Sequence, residues 1–173
     1  MNKLKSIVAV ALLFGTLYGY TREVAYFSNT FDIRFLFFRG VVVGIVAGLA
    51  AFFYYKKTIT DGLERFQIGA FLVLIGIFVF PYLFIWSNHF FAEKDPLSIK
   101  VIFQRNEPIR TGRFGISKDK LPEIDGFYTY FLKNSELDRV RSKQQLFRGV
   151  ESGGEVELPI LKGFWGFEFV PLE

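Results

Sequence analysis

The sequence predicts an α+β membrane protein: three transmembrane helices followed by a small antiparallel β-rich domain, a barrel or a sandwich. Three observations predict it. Long apolar runs fill the first half of a 173-residue chain that is 51% hydrophobic, with 23 Phe and a mean hydropathy of +0.28. Near residue 97 the apolar period changes from helical to alternating. The positive excess lies with the apolar runs: eight Lys/Arg against four Asp/Glu through residue 92, then thirteen of each. That is a topology signal, so the pI of about 9.3 is not read as nucleic-acid binding.

The first run covers residues 4–21, after Lys3 and Lys5. A charged start and a short apolar core resemble a signal peptide, but no small-x-small site follows, so a retained helix is expected. Ala11, Gly15 and Gly19 stand four apart, which lines them along one helix face. Residues 22–34 read as a short polar connection whose Tyr26, Phe27 and Phe31 suit a membrane–water boundary.

Residues 35–55 are the central span, 21 residues with one charge, Arg39. At ~1.5 Å rise per residue such a helix crosses a bilayer. Gly40, Gly44 and Gly48 repeat the four-residue spacing, and small residues let helices approach closely in lipid. The row on the first helix is the expected mate of this one. Lys56 and Lys57 stop the helix, and Asp61-Gly62 reads as a turn. Residues 66–86 form the third span, free of charge. Pro81 sits near its far end, and Tyr82 and Trp86 suit the second interface.

Lys3, Lys5, Lys56, Lys57 and Arg65 gather on one side of these spans, against Arg22, Arg34 and Arg39 on the other. The first side is therefore expected to be cytoplasmic. The N-terminus then lies in the cytoplasm, and everything after Trp86 is extracytoplasmic (periplasmic) in a multi-pass protein of the bacterial inner membrane. Removing the first helix as a signal would leave the C-terminal side unchanged.

Helices thus occupy 1–88, a linker 89–96, and the β-rich domain 97–173. Strands are expected at 97–104, at 109–116, at 127–133 and at 155–161, where Pro159 argues for an edge or a bulge. The stretch 163–170, GFWGFEFV, closes the domain. Residues 118–126 and 135–139 read as turns, and 140–147 as strand or short helix. About 77 residues without disulfides is near the lower limit for a stable core.

With no Cys, disulfides, thiolate nucleophiles and Cys-ligated metal sites are excluded. No catalytic motif occurs. The single histidine, His89, lacks neighbours at ligand spacing, and the spans lack the buried ionisable groups of ion-coupled carriers. No cofactor or metal is expected. Arg39 lies about one turn inside its span. It can snorkel to headgroups, or meet a partner carboxylate such as Asp32, a lipid phosphate or a pore. Trp165 is either core or an exposed anchor for a partner or the bilayer surface. The expected role is a non-catalytic subunit or assembly factor of a larger membrane complex. Its partners are other membrane subunits or a second copy, together with the lipid bilayer, and not nucleic acid. A transport or channel component, or an envelope enzyme using His89 or surface carboxylates, are the alternatives.

Overall fold

The computed structural model describes residues 3–110 and 124–171, with side chains from Val10 onward. Among the described residues three α-helices precede five strands: α1 (Lys3–Asn29), α2 (Ile33–Tyr55), α3 (Gly62–Phe90), β1 (Leu97–Arg110), β2 (Ile124–Lys133), β3 (Glu136–Ser142), β4 (Glu155–Lys162) and β5 (Glu168–Phe169). The chain divides into two compact units. The helical unit holds residues 1–24, 32–92 and 163–167, and the sheet unit holds 25–31, 93–162 and 168–173.

In the helical unit, α2 and α3 are long and apolar enough to cross a membrane. Three such helices were expected, and among the described residues two meet the criterion. α1 instead continues for two further turns through residues expected to be a polar connection, carrying Arg22 and Glu23 within it. A 3-10 turn over Lys56–Thr58 ends α2. Asp61 caps α3 rather than forming a free turn: its Oδ2 accepts from Glu64 N–H at 3.1 Å, which satisfies one orphan donor of the first turn. The helix runs past the expected 66–86, so His89 lies in its last turn and not in a linker.

α2 and α3 pack through backbone. A methyl group built on Gly40 would lie 2.5 Å from Pro81 Cα, and one on Gly48 2.7 Å from Val73 Cα. At the centre, Gly44 and Gly76 meet each other's carbonyl groups. The glycine row of α2 is therefore filled by α3. The expected mating with the Ala11–Gly15–Gly19 row does not occur: Gly19 faces the Tyr82 ring of α3, and Gly15 has open space around it. α3 brings Gly76 and the backbone of Val73 and Pro81 against the row, and a small residue opposite a glycine lets the helix backbones meet.

Among the described residues the sheet unit is an antiparallel half-barrel of strand order β3-β2-β1-β4-β5, in place of the expected barrel or sandwich. Its core is Phe31, Val101, Phe131, Val140, Leu158, Ile160 and Val170. β1 is longer than the alternating stretch 97–104. A register shift between Phe103 and Arg105 changes the parity that faces inward. Past it Asn106, not Arg105, turns in, donating to Leu146 O while its own oxygen accepts from Thr129. The expected turn at 135–139 is instead strand β3. The hairpin needs only Asn134 and Ser135, at φ 52° and 69°, between the paired Lys133 and Glu136, which is the two-residue loop that matches strand twist. The ambiguous stretch after residue 139 is strand only to Ser142.

β4 pairs with β1 over Glu155–Ile160. β5 meets it only at Leu161 and Lys162, so among the described residues no strand lies against the outer side of Pro159. The closing stretch expected at 163–170 shrinks to the two residues of β5, and 163–167 is a turn. The predicted strand at 109–116 and loop at 118–126 fall mostly outside the described residues. Their ends, 109–110 and 124–126, belong to β1 and β2.

Asn29 of α1 completes the sheet unit. It is 1% exposed. Its Nδ2 donates to Arg141 O at 2.8 Å and its Oδ1 accepts from Arg141 N–H at 2.7 Å. The amide thus satisfies both backbone groups of an edge-strand residue, as a neighbouring strand would.

Candidate functional site

Chemistry-bearing side chains of the helical unit gather at the C-terminal end of α3. Asn88, 1% exposed, holds the 163–167 turn. Its Nδ2 donates to Phe167 O at 3.0 Å, its Oδ1 accepts from Trp165 N–H at 3.1 Å, and its backbone O accepts from Phe164 N–H at 2.9 Å. Gly163 N–H donates to Phe167 O, and Gly166 N–H to Gly163 O. Gly166 has φ +83°, a conformation that glycine adopts without steric cost. A side chain at Gly163 would collide with the Asn88 amide. Gly163, Gly166 and Asn88 together therefore specify the turn.

The turn places Phe164 and Trp165 outward. Trp165 stacks on Phe84 with ring centres 4.6 Å apart and planes 9° apart, and its indole N–H donates to Ser87 Oγ at 2.9 Å. Trp165 belongs to the helical unit and not to a strand, it packs one face on α3, and it remains 40% exposed.

Arg39 is exposed on α2, with its guanidinium 5.0 Å from the centre of the Phe167 ring. Such a geometry is a cation–π contact. Pairing with Asp32, one of the alternatives for Arg39, is not formed; Asp32 occupies the left-handed position before α2, φ 54°. Of the helix-packing candidates, Gly40, Gly44 and Gly48 meet α3, Gly19 meets Tyr82, and Ala11 and Gly15 are exposed.

His89 sits beside a carboxylate that sequence spacing does not connect to it. Its Nε2 is 3.0 Å from Glu23 Oε2 of α1, with side chains 7% and 17% exposed. The Tyr20 hydroxyl donates to Phe78 O at 2.9 Å, and the Tyr20 and Tyr82 rings pack 5.5 Å apart in the same α1–α3 seam. The contact brings a side chain of α1 against one of α3. Among the described residues no group of three or more His, Asp or Glu is placed to hold a metal ion. Glu23, Asn88 and Asn29 are the residues that sequence reasoning passed over. The only available signal was a polar side chain beside an apolar run. No family model, no curated protein and no solved structure matches this chain.

Proposed function

We propose that this chain is an integral membrane protein, a non-catalytic subunit or assembly factor of a larger complex in a bacterial inner membrane. The observation that carries the membrane part is exposure. Only 22% and 17% of the most apolar windows of α2 and α3 are buried, although a core helix of a soluble protein buries most of such a surface. Val43, Val46, Leu49, Phe71, Leu74 and Phe78 stand outward, where lipid or another membrane helix would meet them. The loop lysines Lys56 and Lys57 and the N-terminal Lys3 and Lys5 favour a cytoplasmic N-terminus and an extracytoplasmic sheet unit.

The subunit reading follows from where the close packing is spent. α2 and α3 use their glycines on each other, so they form a fixed hairpin, and outside contacts fall to the outward apolar faces. Arg39, exposed and laid over Phe167, fits a surface position better than a pore lining. Extraction in a mild detergent followed by native gel and crosslinking tests the reading. A species larger than the monomer, with co-migrating chains, is expected; a strictly monomeric protein in every gentle extraction overturns the subunit role.

A further inference from the structure

We infer that the end of α3 and the 163–167 turn form an interfacial anchor seated at the headgroup–acyl boundary of a phospholipid bilayer, with Arg39 reaching a lipid phosphodiester. The inference rests on the membrane reading above and adds the surface and its ligand chemistry.

Six rings make one continuous patch. Phe84 stacks on Trp165, Trp165 touches Phe164 at 5.0 Å between centres, and Phe164 touches Phe91 at 5.9 Å. Phe91 meets Phe90 at 4.9 Å, and Phe90 stacks on Trp86 at 4.6 Å. Phe90, Phe91, Phe164 and Trp165 are exposed. The patch is held in place before any partner arrives, because Asn88 fixes the turn that carries two of its rings. A fixed surface loses little conformational freedom on docking.

Lipid is the occupant that the surroundings favour. The patch runs on from the outward apolar side of α3, where Phe78 and Leu83 are exposed, so a bilayer covering that side reaches the rings without a break. Trp and other aromatic rings concentrate at the boundary between hydrocarbon and headgroups. Charge agrees with this depth. Arg39 lies over Phe167 of the same turn, and among the described residues it forms no hydrogen bond or ion pair. A guanidinium binds phosphate oxygens in a two-pronged geometry, and the phosphodiester is the anion present at that level of a membrane.

The chain has two tryptophans, both in the patch, and they supply the test. The full chain is reconstituted into vesicles of phosphatidylcholine and phosphatidylglycerol and recovered by flotation. Trp86→Phe leaves Trp165 as sole reporter, and Trp165→Phe leaves Trp86. Each is expected to emit at shorter wavelength and to lose most of its emission to lipids brominated near the top of the acyl chains. Lipids brominated near the chain ends, and aqueous iodide, should quench little. Arg39→Gln should raise iodide quenching of Trp165 several-fold, and Arg39→Lys should restore much of the protection. Floated protein whose Trp165 is open to iodide and untouched by bromolipid overturns the anchor and leaves the membrane reading standing; a patch built for a protein partner that the vesicles lack gives this result. Quenching mainly by deep bromines also overturns the interfacial position. An Arg39→Gln protein identical to the parent removes the phosphodiester contact. Protein that does not float overturns the membrane reading and the anchor together.

Discussion

Gly44 of α2 and Gly76 of α3 face each other with no side chain between them, each lying where a methyl group on the other would strike a backbone carbonyl. The contact fixes how close the two helices come, and it makes the first prediction. Gly44→Ala or Gly76→Ala must push the helices apart, with a cost of about 1–3 kcal/mol expected for an overpacked contact. Gly15→Ala meets open space and should gain up to about 1 kcal/mol of helix propensity. Thermal unfolding in detergent distinguishes them; equal effects at Gly15 and Gly44 would refute the assignment of the packed face.

Asn88 satisfies two backbone groups of the 163–167 turn with one amide. Asn88→Ala leaves Trp165 N–H without its acceptor and Phe167 O with Gly163 N–H as its remaining donor, and an unsatisfied buried group costs about 1–3 kcal/mol. Asn88→Asp keeps the acceptor for Trp165 N–H but loses the donor to Phe167 O, so its loss should be intermediate or larger. Release of the turn should appear as red-shifted Trp165 emission and as new proteolytic cleavage at 163–167. A turn that stays protected in Asn88→Ala would show that the glycines alone hold it.

Asn29 is to the sheet unit what a sixth strand would be at one residue. Asn29→Ala exposes Arg141 N–H and C=O to a dry setting, and a loss of about 2 kcal/mol or more is expected from the two unmade bonds. Asn29→Asp sets a carboxylate against the Arg141 carbonyl and should be worse than Ala. Denaturant melting followed through the sheet reads both, and an unchanged midpoint for Asn29→Ala rules the role out.

Glu23 and His89 join α1 to α3 at 3.0 Å. Residues in direct contact show non-additive effects, so a double-mutant cycle of Glu23→Gln and His89→Gln should give a coupling on the order of 1 kcal/mol. A coupling of zero would mean that each side chain packs independently.

Chemical type explains why some of this was legible in the chain and some was not. Residues 35–55 and 66–86 read as long apolar helices because an apolar run of that length with at most one charge has few other stable forms. The Gly40–Gly44–Gly48 row was readable because its spacing is local. β1 and β4 were readable where residues alternate; β1 runs on past the bulge at Gln104, where the expected strand ended, and a two-residue turn lets β3 begin inside the expected turn 135–139. Whether Gly44 meets α1 or α3 is not a local property. It depends on Gly76 lying 32 positions away, and both candidate rows had the right spacing. The 163–167 segment shows the same limit. Its apolar composition reads as strand, yet the side chain of Asn88 and the left-handed Gly166 make it a turn of the helical unit. Element type follows from neighbours in sequence, and so was largely determined by the chain itself. Pairing depends on steric fit and hydrogen-bond partners between distant residues, so only the tertiary structure decided which glycines touch, where Trp165 packs and that Glu23 meets His89.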